Sequence, residues 1–441
     1  MKYACLQCVA VLLLLTPVGR GADWPPTSWI DPDTGHRVIR LSAEPGSASL
    51  YFNQNAYTAA GDKLIITTPE GIATVDLKTR AIALVAPGKV RLITVGRKTR
   101  QVYFMKDGDI YATQIDTRVT RRICKGPPHG GVATLNADET LFAGTTVVGG
   151  AAWQTSGVTV SGSGGRTDVP VDADGVTRPD GQPWTFAEQK ERTLNKRLEQ
   201  RLPMTLFTLD TRTGEVKTIY HTTDWLNHLQ FSPTDPGLLM FCHEGPWHKV
   251  DRIWTIRTDG SDLTKVHTRT MNMEIAGHEF WSADGRTIWY DLQTPRGEDF
   301  WLAGYNVGTG ARTRYHLQRN EWSVHYNVSP DGTLFAGDGG DPDMVAHAPD
   351  GKWIYLFRPE AIPDVAGISA ADSKNLIRPG YFKSERLVNM AKHDYRLEPN
   401  VTFTPDMKWI VFRSNMFGGE QVFAVEIALP KGGGKGSGAG G

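Results

Sequence analysis

Along most of the chain, short runs of alternating apolar and polar residues are separated by turns rich in Asp, Gly and Pro. That two-residue period is the mark of strands with one buried face. The segments "AAGDKLIITTPEGIATVDLKTRAIALV", "WSADGRTIWYDLQTPRGEDFWLAGYNVGTGARTRYHL" and "SPDGTLFAGDG" share one order: a turn bearing Asp and Gly, a strand, a second turn, a strand. Tight hairpins need residues that accept positive φ, which is why Asp and Gly collect there. Asp62, Asp284 and Asp331 open such units, and a spacing of roughly 40 to 50 residues is that of a four-stranded propeller blade. The predicted fold is all-β, a β-propeller of about seven blades at that period, within residues 23–428.

One stretch departs from the rhythm. "WTFAEQKERTLNKRLEQRL" carries helix formers, leucines at 194, 198 and 202, and Thr185 three positions before Glu188. Thr-x-x-Glu is a capping box, so a helix is predicted from about 185 to 202. It ends an insertion over about 155–203, either a lid over the ring or a surface decoration. The tail, 429–441, is Gly-rich and carries no chemistry.

Composition narrows the partners. The chain has 441 residues, and Lys+Arg balances Asp+Glu at 48 each, so no global field draws in nucleic acid or an anionic membrane. Residues 1–22, with one lysine, an apolar run to Leu15 and small residues at Gly21 and Ala22, read as a secretory signal peptide. The mature protein is therefore expected to be soluble and either periplasmic or secreted. Two cysteines remain after the leader, Cys124 and Cys242, and two buried free thiols are the preferred reading.

In a propeller, residues distant in sequence converge on the funnel around the axis. His228, His243, His278, His325 and His393 each fall just before or within an expected opening strand, so five of the 12 histidines share a phase. His278, Glu398 and Asn400 offer one imidazole and two oxygen donors, a set suited to manganese or calcium more than to a closed zinc site. No HExxH, paired CxxC or Gly-x-Ser-x-Gly is present, which leaves a zinc hydrolase or serine hydrolase without support.

"DPDTGHRVIRLS", "FCHEGPWHKVDRIWTI", "GHEFWSADG" and "FTPDMKWIVFRSN" together resemble the oligogalacturonate lyases, seven-bladed propeller lyases of pectin breakdown, over nearly the whole mature chain. The resemblance implies metal-assisted β-elimination on an acidic oligosaccharide, giving a 4,5-unsaturated uronate. It implies a divalent ion, usually manganese, with His278 matching one ligand. The late His-Pro-His run of the family falls here on Glu398, Pro399 and Asn400. His243 and His228 are the candidates for the base, His243 preferred, on an inner strand within "CHEGPWHKVDRIW" with Glu244 orienting it and Trp247 offering a stacking face for a sugar. An arginine expected before the hairpin of "DTRTGE" has Arg201 as its nearest match and Thr205 as its ungapped one. His325 and His393 are further candidate substrate contacts, and Arg252 either joins them or pairs with Asp251 or Glu244. Two other readings stand beside this one: a non-catalytic TolB-like propeller that binds a protein or glycan, and a lyase for a different uronate.

Overall fold

The computed structural model describes residues 25–149, 184–344, 347–365 and 367–429. The expected leader lies outside them, as do the first part of the insertion and the tail from residue 430. Strands dominate, in six hydrogen-bonded sheets, with one α-helix among the described residues, Phe186–Gln200. That helix is not long and apolar enough to cross a membrane.

Four sheets each hold four consecutive strands in antiparallel order. An eight-stranded sheet is two such runs joined at their outer edges, where Arg312–Leu317 lies parallel to Arg378–Asn389 with Thr313 opposite Arg378. In the remaining sheet, Thr402–Phe403, Trp409–Ser414 and Gln421–Glu426 are extended by Arg37–Arg40 and Ser28–Ile30, with Val38 opposite Val425. The first and last strands of the described residues thus share one sheet. First strands of successive runs abut: Gly130–Leu135 touches Arg91–Val95 and Trp225–Phe231, the latter touches Ile275–Trp281, and Tyr326–Val328 touches Thr402–Phe403. These are the strands that face the common centre.

The turns are made as their sequences require. The Ser282 hydroxyl donates to Asp284 at 2.6 Å, Ser329 to Asp331 at 2.6 Å and Thr404 to Asp406 at 2.7 Å, a side-chain closure typical of Asp-bearing turns. Gly285 and Gly332 follow at φ 68° and 75°, a region that costs a side-chain-bearing residue energy. Sheets pack face to face, so many strands are buried on both sides; in Leu238–Glu244 every residue after the first is buried. One seam is aromatic, with Phe52, Phe280, Phe300, Trp322 and Tyr326 together in a single cluster.

The helix starts where its capping box places it. Thr185 accepts the Glu188 N–H at 3.3 Å while the Glu188 carboxylate accepts the Thr185 N–H at 2.8 Å. It is docked by Leu194, 3 % exposed, and by ion pairs from Arg197 to Glu244 and from Glu191 to Arg296. Cys124 and Cys242 are separate buried thiols.

Candidate active site

Two first strands slip register at the same station. In Trp225–Phe231 the slip falls between Asn227 and Gln230, and in Ile275–Trp281 between Gly277 and Phe280. Within the slips, His228 and His278 take left-handed φ of 50° and 45°. Such a bulge places two residues against one and re-aims a side chain out of the pleat. His325 precedes Tyr326–Val328, and Asn400, with φ 58°, precedes Thr402–Phe403. Four polar side chains from four runs thereby reach the shared centre.

His278 and His325 meet edge to face, ring centres 4.9 Å apart. His278 Nδ1 is 3.4 Å from Asp291 Oδ2, and His325 Nδ1 is 2.8 Å from Asp338 Oδ2. On its other side, His325 Nε2 lies 3.1 Å from the Tyr51 hydroxyl and 3.6 Å from Glu398 Oε2. Burial, reinforced by charge on His325 and Lys190, pushes His278 well below the ordinary imidazole range. Burial pushes Asp291 up to about 6. Burial also raises Glu398, but charge on His325, Lys190 and His278 outweighs it and brings the carboxyl down to about 2. Asn400 serves this corner through its backbone turn: its side-chain oxygen accepts the Phe52 N–H at 3.4 Å and its amide donates to the Glu398 carbonyl at 2.9 Å.

His278 and Glu398 both lie against His325, at 4.9 Å between ring centres and 3.6 Å to Nε2, and they are an imidazole and a carboxylate donor of the types a divalent cation takes. Behind His278, Asp291 Oδ1 is buried without a hydrogen-bond partner.

A cavity of about 970 Å³ runs alongside, and His228 is the one histidine among its described lining residues. His228 Nδ1 lies 3.5 Å from Glu279 Oε1, and neither atom makes a hydrogen bond among the described residues. Glu279 is fully buried, and its second oxygen accepts Arg252 Nε at 3.1 Å. Burial lowers the His228 pKa, so the ring is neutral near pH 7. Cys242 joins this group, with ligand-type atoms of His228, Cys242 and Glu279 all within 4.8 Å of one another. Burial holds that thiol well above its usual pKa, and Arg252 Nε sits on the second Glu279 oxygen as an ion pair.

Several expectations change in the structure. The segment at 242–254 does not open its run: Leu238–Glu244 is the second strand, paired with Trp225–Phe231, because the turn at 232–237 follows the inner strand rather than preceding it. Successive side chains on it point to opposite faces, so Glu244 does not orient His243. The His243 partner is Asp224, at 2.8 Å from Nδ1, with the ring stacked on Trp254 at 5.5 Å. Glu244 faces the cavity instead, where it accepts Asn227 Nδ2 at 2.8 Å and Arg197 at 3.1 Å. Arg252 pairs with Glu279 and not with Asp251 or Glu244. Arg201 caps the C-terminal end of the helix and is paired with Asp224. His393 is buried outside the cavity lining, with Nδ1 2.9 Å from Ser414 Oγ and Nε2 2.6 Å from the Leu397 carbonyl. Trp247 lies 6.2 Å from the His278 ring, with Lys190 Nζ 5.7 Å over its own ring.

With this geometry established, comparison with known proteins settles the family. A family model described as oligogalacturonate lyase matches residues 153–430. The chain belongs to the oligogalacturonate lyase family. Among its relatives, the oligogalacturonide lyase of Pectobacterium atrosepticum is 26% identical over 244 residues, 50% of this chain and 55% of that one. The oligogalacturonate lyase of Dickeya dadantii is 27% identical over 239 residues, with the same shares. The match thus spans about half the length of these relatives. In fold the likeness is wider: a solved oligogalacturonate lyase in complex with manganese covers 92% of this chain and 96% of its own at a TM-score of 0.69 and 21% identity. The oligogalacturonate lyase of Vibrio parahaemolyticus covers 91% and 96% at 0.67 and 20%.

Three residues of this site carry no local signal: Tyr51, Lys190 and Asp291 come from a loop, the insertion helix and a second strand. Glu279 follows the histidine in "GHEFW", and its partner His228 is on another sheet.

Proposed function

We propose that the protein cleaves oligogalacturonides by β-elimination in the axial cavity, with its seven antiparallel runs forming the blades of a closed propeller. The observation that carries the reading is His228, set in a bulge at the cavity wall with Nδ1 facing Glu279. With the ring proton on Nδ1, facing that carboxylate, Nε2 is the unprotonated nitrogen and serves as the base for the C5 proton. The neighbouring negative charge stabilises the imidazolium formed as the proton arrives. Proton loss at C5 expels the C4 oxygen and leaves a 4,5 double bond in the ring that carried it. The Tyr51 hydroxyl, on the same wall, is the donor suited to protonate the departing oxygen.

The ligand corner deepens this reading. His278 and Glu398, with Asp291 behind them and Asn400 fixing the turn, would hold a divalent cation, manganese ahead of calcium given the imidazole donor. A cation bound there supplies Lewis-acid charge for the uronate carboxylate, which lowers the cost of the developing enolate. The apolar leader supports export, so the substrate would be met outside the cytoplasm.

One observation favours a different uronate as substrate. Thr205 lies within Met204–Asp210 with its hydroxyl 2.5 Å from that of Thr146, and Arg201 stands outside the cavity lining. The arginine the family resemblance calls for is therefore not supplied by either position. The test is to incubate the purified protein with galacturonate, glucuronate and guluronate oligomers and follow the unsaturated product by ultraviolet absorbance, with and without chelator. Product from galacturonate oligomers alone supports the first reading, and product from another uronate alone supports the second.

A further inference from the structure

We propose that Lys190, carried by the insertion helix, binds the carboxylate of the sugar acid in the cavity, its ammonium leaving Glu398 as the ligand enters. This rests on the acidic-oligosaccharide reading above and names a residue that reading left open.

Five cationic side chains line the cavity among the described residues. Three are committed: Arg197 to Glu244 at 3.1 Å, Arg413 to Glu420 at 3.0 Å and Arg396 to Asp394 at 2.5 Å. A fourth, Arg97, stands beyond the carboxyl end of its inner strand, Arg91–Val95, whereas the helix docks beside the amino end of Trp225–Phe231. Lys190 differs from all of these. Its Nζ is 3.9 Å from Glu398 Oε1, within ion-pair range but beyond hydrogen-bond range. No hydrogen bond fixes the ammonium to Glu398 at that distance, so it is free to exchange one carboxylate for another.

Its surroundings fit the task. The ammonium sits over the face of Trp247 at 5.7 Å, which orients the lysine beside the cavity. Its charge is felt at His228, His278, Asp291 and Glu398, so it stands close to both the base and the ligand corner. A lysine suits exchange between two carboxylates, because a rotatable point charge changes partners without the fixed fork of a guanidinium. The carrier is held firmly: Glu191, the next residue, makes two bonds to Arg296 at 3.1 and 3.0 Å, and Leu194 is buried.

The experiment compares wild type with Lys190→Met and Lys190→Arg, on trigalacturonate and on its methyl ester. Losing one charge-assisted hydrogen bond should raise KM for the acid about 10- to 100-fold and leave the ester nearly unchanged, so that preference for the acid collapses. Lys190→Arg should restore part of it, and ethylammonium should partly rescue Lys190→Ala. Thermal melts of all variants should match wild type, which separates binding from folding. Wild-type KM and acid preference in Lys190→Met would overturn the proposal. Should wild type cleave nothing, calorimetry with trigalacturonate takes over: heat of binding present in wild type and lost in Lys190→Met supports Lys190 while the lyase reading fails. Binding that is equal in both, or absent from wild type, overturns it.

Discussion

His228 Nδ1 and Glu279 Oε1 face each other across 3.5 Å, neither making a hydrogen bond among the described residues, one at the cavity wall and the other sealed behind it on the next sheet. A base needs an orienting group and an open nitrogen, and this pair supplies both. His243 is equally well oriented, by Asp224, but on the face of its strand turned away from the cavity. Replacing His228 with Ala should lower kcat by about 10²- to 10⁴-fold, the range of a positioned general base, with little change in melting temperature. His243→Ala should retain turnover and lose stability through its packing on Trp254. Steady-state kinetics beside thermal denaturation distinguishes the two, and a fully active His228→Ala enzyme would remove the base from this position.

Glu279 carries a second duty, since its carboxylate is ion-paired with the buried Arg252 guanidinium through Nε at 3.1 Å. Glu279→Gln should destabilise the fold by about 3–5 kcal/mol, the usual cost of an unpaired buried charge. Adding Arg252→Met should recover most of that loss without restoring activity. Urea denaturation of the single and double variants reads this directly, and equal instability in both would show that the pair is not coupled.

Much of the scaffold was legible because turn chemistry is local. Asp284 and Asp331 sit in the tight turns their neighbours imply, and Thr185 with Glu188 begins the helix within a residue of its expected start. The site was only partly legible. His278 and Glu398 each lie against His325, but a register slip has no signature in the residues around His228 or His278, and it is the slip that aims them. Strand order decided the rest: "CHEGPWH" belongs to a second strand, which put His243 on the wrong face, and Arg252 found its carboxylate 27 residues away on the neighbouring sheet.

The acid limb of stability should be set in part by His393. Burial brings its folded pKa down to about 4, below the unfolded value of about 6.5. The unfolded state therefore binds the proton first, and the stability held by the neutral ring is complete above pH 6.5 and is lost as pH falls towards 4. That loss is about 3 kcal/mol at most. Chemical denaturation at pH 7 and pH 4.5 should show it, and His393→Gln should flatten the dependence.

Removing the cap tests how far the helix serves the site. Thr185→Ala should cost about 1 kcal/mol of local stability, speed amide exchange over the helix Phe186–Gln200 and raise KM more than it lowers kcat. Unchanged exchange there would mean that docking by Arg197 and Glu191 holds the helix without its cap.

The ligand corner has its own test by metal binding alone. Manganese titrated into chelator-treated protein should bind at one site, and His278→Ala should weaken it at least about tenfold. Equal affinity in wild type and variant would place the ion elsewhere.

The most direct measurement is the ultraviolet absorbance of purified protein incubated with trigalacturonate and manganese, beside the His228→Ala enzyme. A steady rise from the 4,5-unsaturated uronate with wild type, and almost none with the variant, is the expected result. No unsaturated product from wild type, or the same rate from both proteins, would contradict an elimination driven by His228 in this cavity.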